Sequence, residues 1–262
     1  MKTLKIYQVD AFAEGLFEGN PAAVVPLTEW LPDEVLQKIA LENNLSETAY
    51  FIIQENEVLI RWFTPAVEVD LCGHATLATA HVLFRHEGFE RNEIEFFSPR
   101  SGKLTVLKSE DILVLDFPTD KLHQIDLEER MIQAFSPAPR EAWMGKSDWM
   151  LVFDHEDQIA DLQFDLGKIG EFPVRGVIVT APGNQLDFVS RFFGPQSGVP
   201  EDPVTGSAHT TLTPYWGRRL NKKVMDARQI SPRGGNVRCE WVGDRVLLGG
   251  KAVTYLIGEI NI

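Results

Sequence analysis

The chain has 262 residues, with 25 Lys and Arg against 38 Asp and Glu, which gives a formal net charge of −13. This length allows one large domain or two of ordinary size. The 44% hydrophobic share is typical of a packed protein and excludes disordered and fibrous classes. The acidic balance repels polyanions and argues against a nucleic-acid partner.

The first half of the chain is predicted to be mainly β, with two helices. Runs of β-branched and aromatic residues between Gly, Pro, Asn and Asp predict strands at 4–12, 22–26, 49–53, 58–63, 94–97, 103–107 and 112–117. A favourable first turn at Pro32 predicts a helix over 32–42. A second helix, over 74–85, is so apolar that we expect it to be buried on all sides.

The second half of the chain repeats the order of the first. At an offset of 133, Gly73 aligns with Gly206 and Gly102 with Gly235, whereas residues 61–65 align with 191–195 at an offset of 130. We therefore predict an internal duplication: two α+β domains, at 1–117 and 122–251, each with a buried helix. Residues 252–262 lie beyond the second copy and are a candidate to return to the first domain. A chance likeness of strand and turn patterns is the alternative.

Cysteine, histidine and glycine patterns bear on compartment and cofactors. Cys72 and Cys239 are the two cysteines and lie far apart, so neither a disulfide framework nor a zinc ribbon can be built. No metal-binding histidine spacing, dinucleotide fingerprint or P-loop occurs, so we expect no metal and no cofactor. We also expect a cytoplasmic protein without a membrane partner, because no signal-peptide core or run of about 18 apolar residues is present.

In each copy a turn is followed by a glycine at the beginning of a predicted helix, Gly73 in the first copy and Gly206 in the second. Glycine lets a ligand approach the backbone closely, and the free N–H groups of a helix's first turn bind anions. Two such helix starts facing each other across a cleft would suit a small carboxylate. The alternative is that Asp202 and Ser207 are ordinary cap and turn residues and that His74 is a satisfied polar residue at a helix start.

Glu47 is singled out by its position at the beginning of an apolar strand. A partly desolvated carboxylate there would have its pKa raised from about 4.3 towards neutrality, as a group that accepts and returns a proton requires. A simple turn residue is the alternative interpretation.

The motifs resemble those of the PhzF-like phenazine-biosynthesis isomerase family over nearly the whole chain. The blocks that carry the resemblance, in family order, are Asp10-Ala11-Phe12, Gly19-Asn20-Pro21-Ala22-Ala23-Val24-Val25, Ser46-Glu47-Thr48-Ala49-Tyr50-Phe51, Phe63-Thr64-Pro65, Asp70-Leu71-Cys72-Gly73-His74-Ala75-Thr76, Glu201-Asp202-Pro203-Val204-Thr205-Gly206-Ser207-Ala208-His209 and Gln229-Ile230-Ser231-Pro232-Arg233-Gly234-Gly235. The resemblance implies the diaminopimelate-epimerase-like fold. That fold has two pseudo-symmetric domains, each a β-barrel-like sheet around a central helix, with the active site between them.

The resemblance also implies a reaction and a set of site residues. It implies a cofactor-independent isomerase of the dihydro-hydroxyanthranilate type, in which Glu47 shuttles a proton by acid/base catalysis. His74, Asp202 and Ser207, with the backbone N–H groups of Gly73 and Gly206, are then expected to hold the substrate's carboxylate, its amine and the shifting proton. Relatives are often dimers, so a homodimer is a candidate assembly.

Two other functions stay open. Cys72 resembles one half-site of the two-cysteine racemases of the same fold, but the corresponding residue of the second copy is Thr205, which disfavours a symmetric two-thiol enzyme. An epimerase or dehydratase of the proline-racemase type that uses Cys72 remains an alternative. A non-catalytic protein that binds a small carboxylate is the other.

Overall fold

The computed structural model describes residues 2–54 and 57–262. The chain divides into two compact units: residues up to Asp116 together with Gly249–Ile262, and Phe117–Leu248. The second unit therefore begins and ends a few residues earlier than the domain predicted over 122–251. Residues 249–251 belong with the first unit because the Lys251 carbonyl accepts a hydrogen bond from the Ala13 N–H.

Strands alternate with two helices as far as Asp116. Their bounds are β1 (Thr3–Ala11), β2 (Asn20–Pro26), α1 (Asp33–Asn43), β3 (Glu47–Gln54), β4 (Glu57–Phe63), β5 (Glu68–Val69), α2 (Gly73–Arg85), β6 (Glu93–Ser98), β7 (Gly102–Ser109) and β8 (Ile112–Pro118). Both predicted helices are present. The helix predicted over 32–42 spans 33–43, and the helix predicted over 74–85 begins one residue earlier, at Gly73. The strand predicted over 49–53 begins earlier, at Glu47.

The rest of the described chain carries three short helices and one helix of 15 residues among further strands. Their bounds are β9 (His123–Ile125), α3 (Glu129–Ala134), β10 (Phe135–Ser136), β11 (Glu141–Met144), β12 (Asp148–Val152), α4 (Glu156–Ala160), β13 (Gln163–Phe164), α5 (Leu166–Gly170), β14 (Gly176–Pro182), β15 (Phe188–Gly194), a 3-10 turn (Pro195–Ser197), β16 (Val199–Asp202), α6 (Gly206–Leu220), β17 (Val224–Gln229), β18 (Gly235–Val242), β19 (Arg245–Gly250) and β20 (Ala252–Asn261).

In the first unit the sheet runs around α2. Strand β1 pairs antiparallel with β2 and β20, β2 pairs parallel with β3, and β3 pairs antiparallel with β4. Helix α2 packs against β1, β2, β3 and β20. Its residues from His74 to Ala80 are all buried, as the apolar sequence predicted. The pairing of β20 with β1 brings the end of the chain back to the first unit.

The second unit repeats this pattern of pairing. Strand β12 pairs parallel with β14, β14 antiparallel with β15, and β15 parallel with β17. Helix α6, whose residues are largely buried, packs against β17 and β18. Each unit is thus a mainly β sheet with one central helix, and the chain has the predicted α+β fold.

One ion pair occurs at the same place in both units and supports the duplication. Arg61 of β4 donates to both carboxylate oxygens of Glu68 at 2.7 and 2.8 Å. Arg191 of β15 donates to both carboxylate oxygens of Glu201 at 2.7 and 2.9 Å. The arginines are related by the offset of 130 and the glutamates by the offset of 133, so the repeat extends to side-chain contacts. Within the described ranges, no helix is long and apolar enough to cross a membrane.

Candidate active site

The first unit brings Glu47, Cys72 and His74 together. Glu47 is the first residue of β3, opposite Ala22 of β2. Cys72 has extended backbone and stands directly before α2, while His74 lies in the first turn of that helix. Because β2 and β3 both pack on α2, the Glu47 carboxylate at the beginning of β3 lies beside the beginning of α2.

The central contact is between Glu47 and His74. The Oε2 atom of Glu47 lies 3.0 Å from Nε2 of His74, and the two side chains are 16% and 6% exposed. Apart from this contact with His74, Oε2 accepts no hydrogen bond from any described residue. A lone pair of this carboxylate is therefore available to take a proton, while a cationic imidazole beside it stabilises its charge.

The other ring nitrogen of His74 has two neighbours. The Nδ2 atom of Asn20 lies 3.2 Å from Nδ1, and the sulfur of Cys72 lies 3.5 Å from it. A charged imidazole donates from both ring nitrogens, so it fits this contact when the Asn20 amide is turned to present its oxygen to Nδ1. Sequence reasoning gave Asn20 no role, although it stands in the Gly19-Asn20-Pro21 block.

Electrostatics in this group favour a charged imidazole and an uncharged thiol. Burial opposes the charged form of His74, but the Glu47 carboxylate 3.0 Å away favours it and holds the pKa of His74 well above its usual value. Burial, aided by the Glu47 charge, raises the pKa of Cys72 to about 11. At neutral pH the carboxylate is thus the better candidate base, because the thiol holds its proton.

The same three residues offer one carboxylate oxygen, one thiol sulfur and one imidazole nitrogen within 4.8 Å of one another. This is a donor set that could hold a transition-metal ion. Sequence spacing gave no sign of it, because Glu47 comes from a strand far from the other two along the chain.

In the second unit, Asp202 and Thr205 lead into α6 and are held by Gln229. Thr205 donates its hydroxyl to Oδ2 of Asp202 at 2.5 Å. The buried Gln229 amide accepts from the Thr205 N–H at 2.9 Å and donates to the Asp202 carbonyl at 2.6 Å and to the Thr205 hydroxyl at 3.2 Å. Since the Thr205 oxygen already accepts from Gln229, its own proton points to the Asp202 carboxylate.

Ser207 is exposed in the first turn of α6 and has a charged neighbour. The Nη2 atom of Arg175 donates to the Ser207 hydroxyl at 2.9 Å and also to Asp148. Nε of Arg175 donates to the other oxygen of Asp148 at 2.8 Å. Because the serine oxygen accepts from the guanidinium, its own hydrogen is left to donate to a ligand. Neither Arg175 nor Asp148 was singled out from the sequence.

Comparison of the two units shows that the second lacks a carboxylate at the Glu47 position. The strand registers place Gly176, the first residue of β14, where β3 has Glu47. A Cβ atom on Gly176 would overlap the Phe192 ring and would lie 2.9 Å from the Phe193 carbonyl oxygen. The acid and thiol of the first unit are therefore replaced in the second by Gly176 and Thr205.

Each residue singled out from the sequence lies at or beside one of two helix starts. Glu47, Gly73 and His74 meet in the first unit, at the beginning of α2. Asp202, Gly206 and Ser207 surround the beginning of α6 in the second unit. Among the contacts described, the side chain of Asp202 binds Thr205, whereas that of Ser207 binds Arg175.

Comparison with known proteins agrees with these features. An uncharacterized isomerase of Pseudomonas aeruginosa is 48% identical over 259 residues, which cover 99% of each chain. The human phenazine biosynthesis-like domain-containing protein is 39% identical over 286 aligned residues, covering 98% of this chain and 99% of the relative. The crystal structure of a PhzF-family phenazine biosynthesis protein from Enterococcus faecalis matches with a TM-score of 0.97 and 45% identity over the whole of both chains. The family described as phenazine biosynthesis-like protein, PhzC-PhzF, matches residues 9–258, and the chain belongs to this family.

Proposed function

We propose that this chain is an isomerase that moves a proton on a small carboxylate-bearing substrate, with Glu47 as the general acid/base and without a cofactor. Family membership and relatives named as isomerases support the reaction class. The observation that carries the choice of residue is the mostly buried Glu47 carboxylate, whose Oε2 lies 3.0 Å from the His74 imidazole and accepts from no other described donor. The substrate that fits the family resemblance is of the dihydro-hydroxyanthranilate type.

The proposed reaction has two proton transfers and leaves the substrate's composition unchanged. The Glu47 carboxylate takes a proton from an activated carbon, and the electron pair of the broken C–H bond moves into the substrate's conjugated system. The resulting carboxylic acid then returns the proton to a different carbon of the same substrate. His74, as the cationic partner, stabilises the Glu47 carboxylate before the first transfer and after the second.

Each helix start, taken by itself, offers groups that we propose for substrate binding. Backbone N–H groups at Gly73 and Gly206 suit a carboxylate, because the first turn of a helix presents unpaired donors and the positive end of its dipole. The Ser207 hydroxyl adds a donor that Arg175 orients. The Asp202 carboxylate suits a substrate amine.

The difference between the two units supports a single base over a two-base racemase. A racemase of that kind needs one acid/base group for each face of the carbon, and the second unit offers Gly176 and Thr205 at the positions of Glu47 and Cys72. Burial raises the pKa of Cys72 to about 11, so at neutral pH the thiol keeps its proton. The first fact weighs against a symmetric two-base racemase but leaves open a one-cysteine dehydratase with a threonine at the second position. The protonated thiol weighs against any mechanism that uses Cys72 as the base.

The test is deuterium exchange in D2O, read by mass spectrometry. Wild type, Glu47→Gln and the surface control Glu42→Gln are each incubated with dihydro-hydroxyanthranilate and a panel of small amino and hydroxy carboxylates. We expect exchange with wild type and Glu42→Gln and a loss of at least about 100-fold with Glu47→Gln. Undiminished exchange with Glu47→Gln would refute the role of Glu47. Binding of a panel carboxylate by wild type without any exchange would support the non-catalytic alternative.

A further inference from the structure

We infer that Glu47, Cys72 and His74 form a binding site for a thiophilic divalent cation, with zinc as the physiological candidate. The three ligand atoms lie within 4.8 Å of one another and come from the residue types that zinc prefers. Three protein ligands leave a fourth position for water, as in zinc sites with an open coordination place.

The observed separations are close to those of a tetrahedral site. Bonds of about 2.0–2.3 Å at tetrahedral angles separate an oxygen and a nitrogen ligand by about 3.3 Å, and a sulfur and a nitrogen ligand by about 3.6 Å. The Glu47 Oε2 to His74 Nε2 distance is 3.0 Å, and the Cys72 Sγ to His74 Nε2 distance is 3.9 Å. These two pairs need a change of only about 0.3 Å to reach those separations. The third pair, Glu47 Oε2 and Cys72 Sγ, lies within 4.8 Å.

The surroundings of the three residues resemble those of a built site. Cys72 and His74 are buried, while Glu47 is partly exposed and leaves an approach from solvent. Asn20 lies against Nδ1 of His74, and its amide can offer either an oxygen or a nitrogen to that atom. Such a partner on the second ring nitrogen fixes the orientation of a metal-binding histidine.

A bound cation would inhibit the enzyme. Binding would release the proton of the Cys72 thiol and the Nε2 proton of His74 to solvent. The Glu47 lone pair that takes the substrate proton would be donated to the metal instead. This inhibition rests on the proposed function, whereas binding of the cation does not.

The experiment therefore measures binding and activity separately on the reduced full-length protein. Binding of Cd²⁺ is followed by its ultraviolet thiolate charge-transfer band, and binding of Zn²⁺ by calorimetry, with Mg²⁺ as a hard-cation control. Variants are Cys72→Ser, Glu47→Gln and Cys239→Ser, the last of which alters a buried thiol in the other unit. Circular dichroism establishes that each variant is folded.

We expect one Zn²⁺ per chain, no response to Mg²⁺, and a Cd²⁺ thiolate band that is lost in Cys72→Ser and kept in Cys239→Ser. Zinc affinity should fall by more than about 100-fold in Cys72→Ser, because a direct ligand contributes more than an outer-sphere partner. Glu47→Gln keeps the Cys72 thiol but loses a carboxylate ligand, so it should also bind Zn²⁺ more weakly than wild type. This second variant tests the inference even if Cys72→Ser does not fold. No thiolate band in wild type, or equal affinity in wild type and both site variants, would overturn the inference. Binding without inhibition of exchange would instead count against the role of Glu47.

Discussion

Replacement of Arg175 by methionine tests whether the Arg175–Asp148 pair is what orients Ser207. The Asp148 side chain is 5% exposed and accepts from both Nε and Nη2 of Arg175, while the arginine side chain is 42% exposed. Breaking a fully buried pair costs about 3–5 kcal/mol, because one charge is left buried and alone. Since Arg175 is partly solvated, we expect a smaller loss of about 2–3 kcal/mol in the free energy of unfolding.

The double variant Arg175→Met/Asp148→Asn separates stability from function. It removes both charges, so we expect it to recover about 1–2 kcal/mol relative to the single variant. Neither the single nor the double variant has a donor to Ser207. The KM for the compound that exchanges deuterium should therefore be higher than that of wild type in both. Arg175→Lys retains a cation and should be the mildest of the three.

Urea denaturation gives the stabilities, and exchange kinetics give KM and kcat. A loss below about 0.5 kcal/mol for Arg175→Met would mean that the Asp148 carboxylate is solvated and that the pair is a surface contact. An unchanged KM in all three variants would refute the orienting role of Arg175.

Three further predictions concern groups that support the two helix starts. Gly176→Ala should cost about 1–3 kcal/mol by overpacking against Phe192, whereas Gly15→Ala, where an added Cβ meets nothing within 4 Å, should have little effect on the urea midpoint. Gln229→Leu should lower the free energy of unfolding by about 2–4 kcal/mol, because the buried Thr205 N–H loses its acceptor. Thermal unfolding at neutral pH measures this loss, and an unchanged stability would mean that water replaces the amide. Burial lowers the pKa of His209 from 6.5 to about 4, so the histidine is protonated in the unfolded state before it is protonated in the folded state. The free energy of unfolding should therefore fall by up to about 3 kcal/mol as the pH drops from about 6.5 to 4. His209→Gln should flatten that acid limb, and an unaltered slope would contradict the assignment.

Local pattern was enough to predict the duplicated architecture. The apolar circumference of α2 and the Gly-led helix starts are properties of short segments, and the offsets of 130 and 133 survive in the Arg61–Glu68 and Arg191–Glu201 pairs. The domain ends could not be predicted as well, because residues 249–251 are placed by contacts with the start of the chain.

The supporting residues of the site could not be predicted from spacing. Arg175 reaches Ser207, and Gln229 reaches Thr205, across separations of 32 and 24 residues along the chain, for which no local pattern exists. The equivalence of Glu47 and Gly176 also depends on the strand registers, because the sequence offset of 130 aligns Glu47 with Val177 instead. The spacing of His and Cys residues did not indicate that Glu47, Cys72 and His74 lie together, because Glu47 comes from a separate strand.

The most direct measurement is a side-by-side comparison of Glu47→Gln and Cys72→Ser in the deuterium-exchange reaction, at equal concentrations of folded protein. We predict that Glu47→Gln loses exchange by at least about 100-fold while Cys72→Ser retains most of it, because the base is the carboxylate and the thiol stays protonated. The reverse pattern, with exchange lost in Cys72→Ser and retained in Glu47→Gln, would contradict Glu47 as the acid/base and make the thiol the catalytic group.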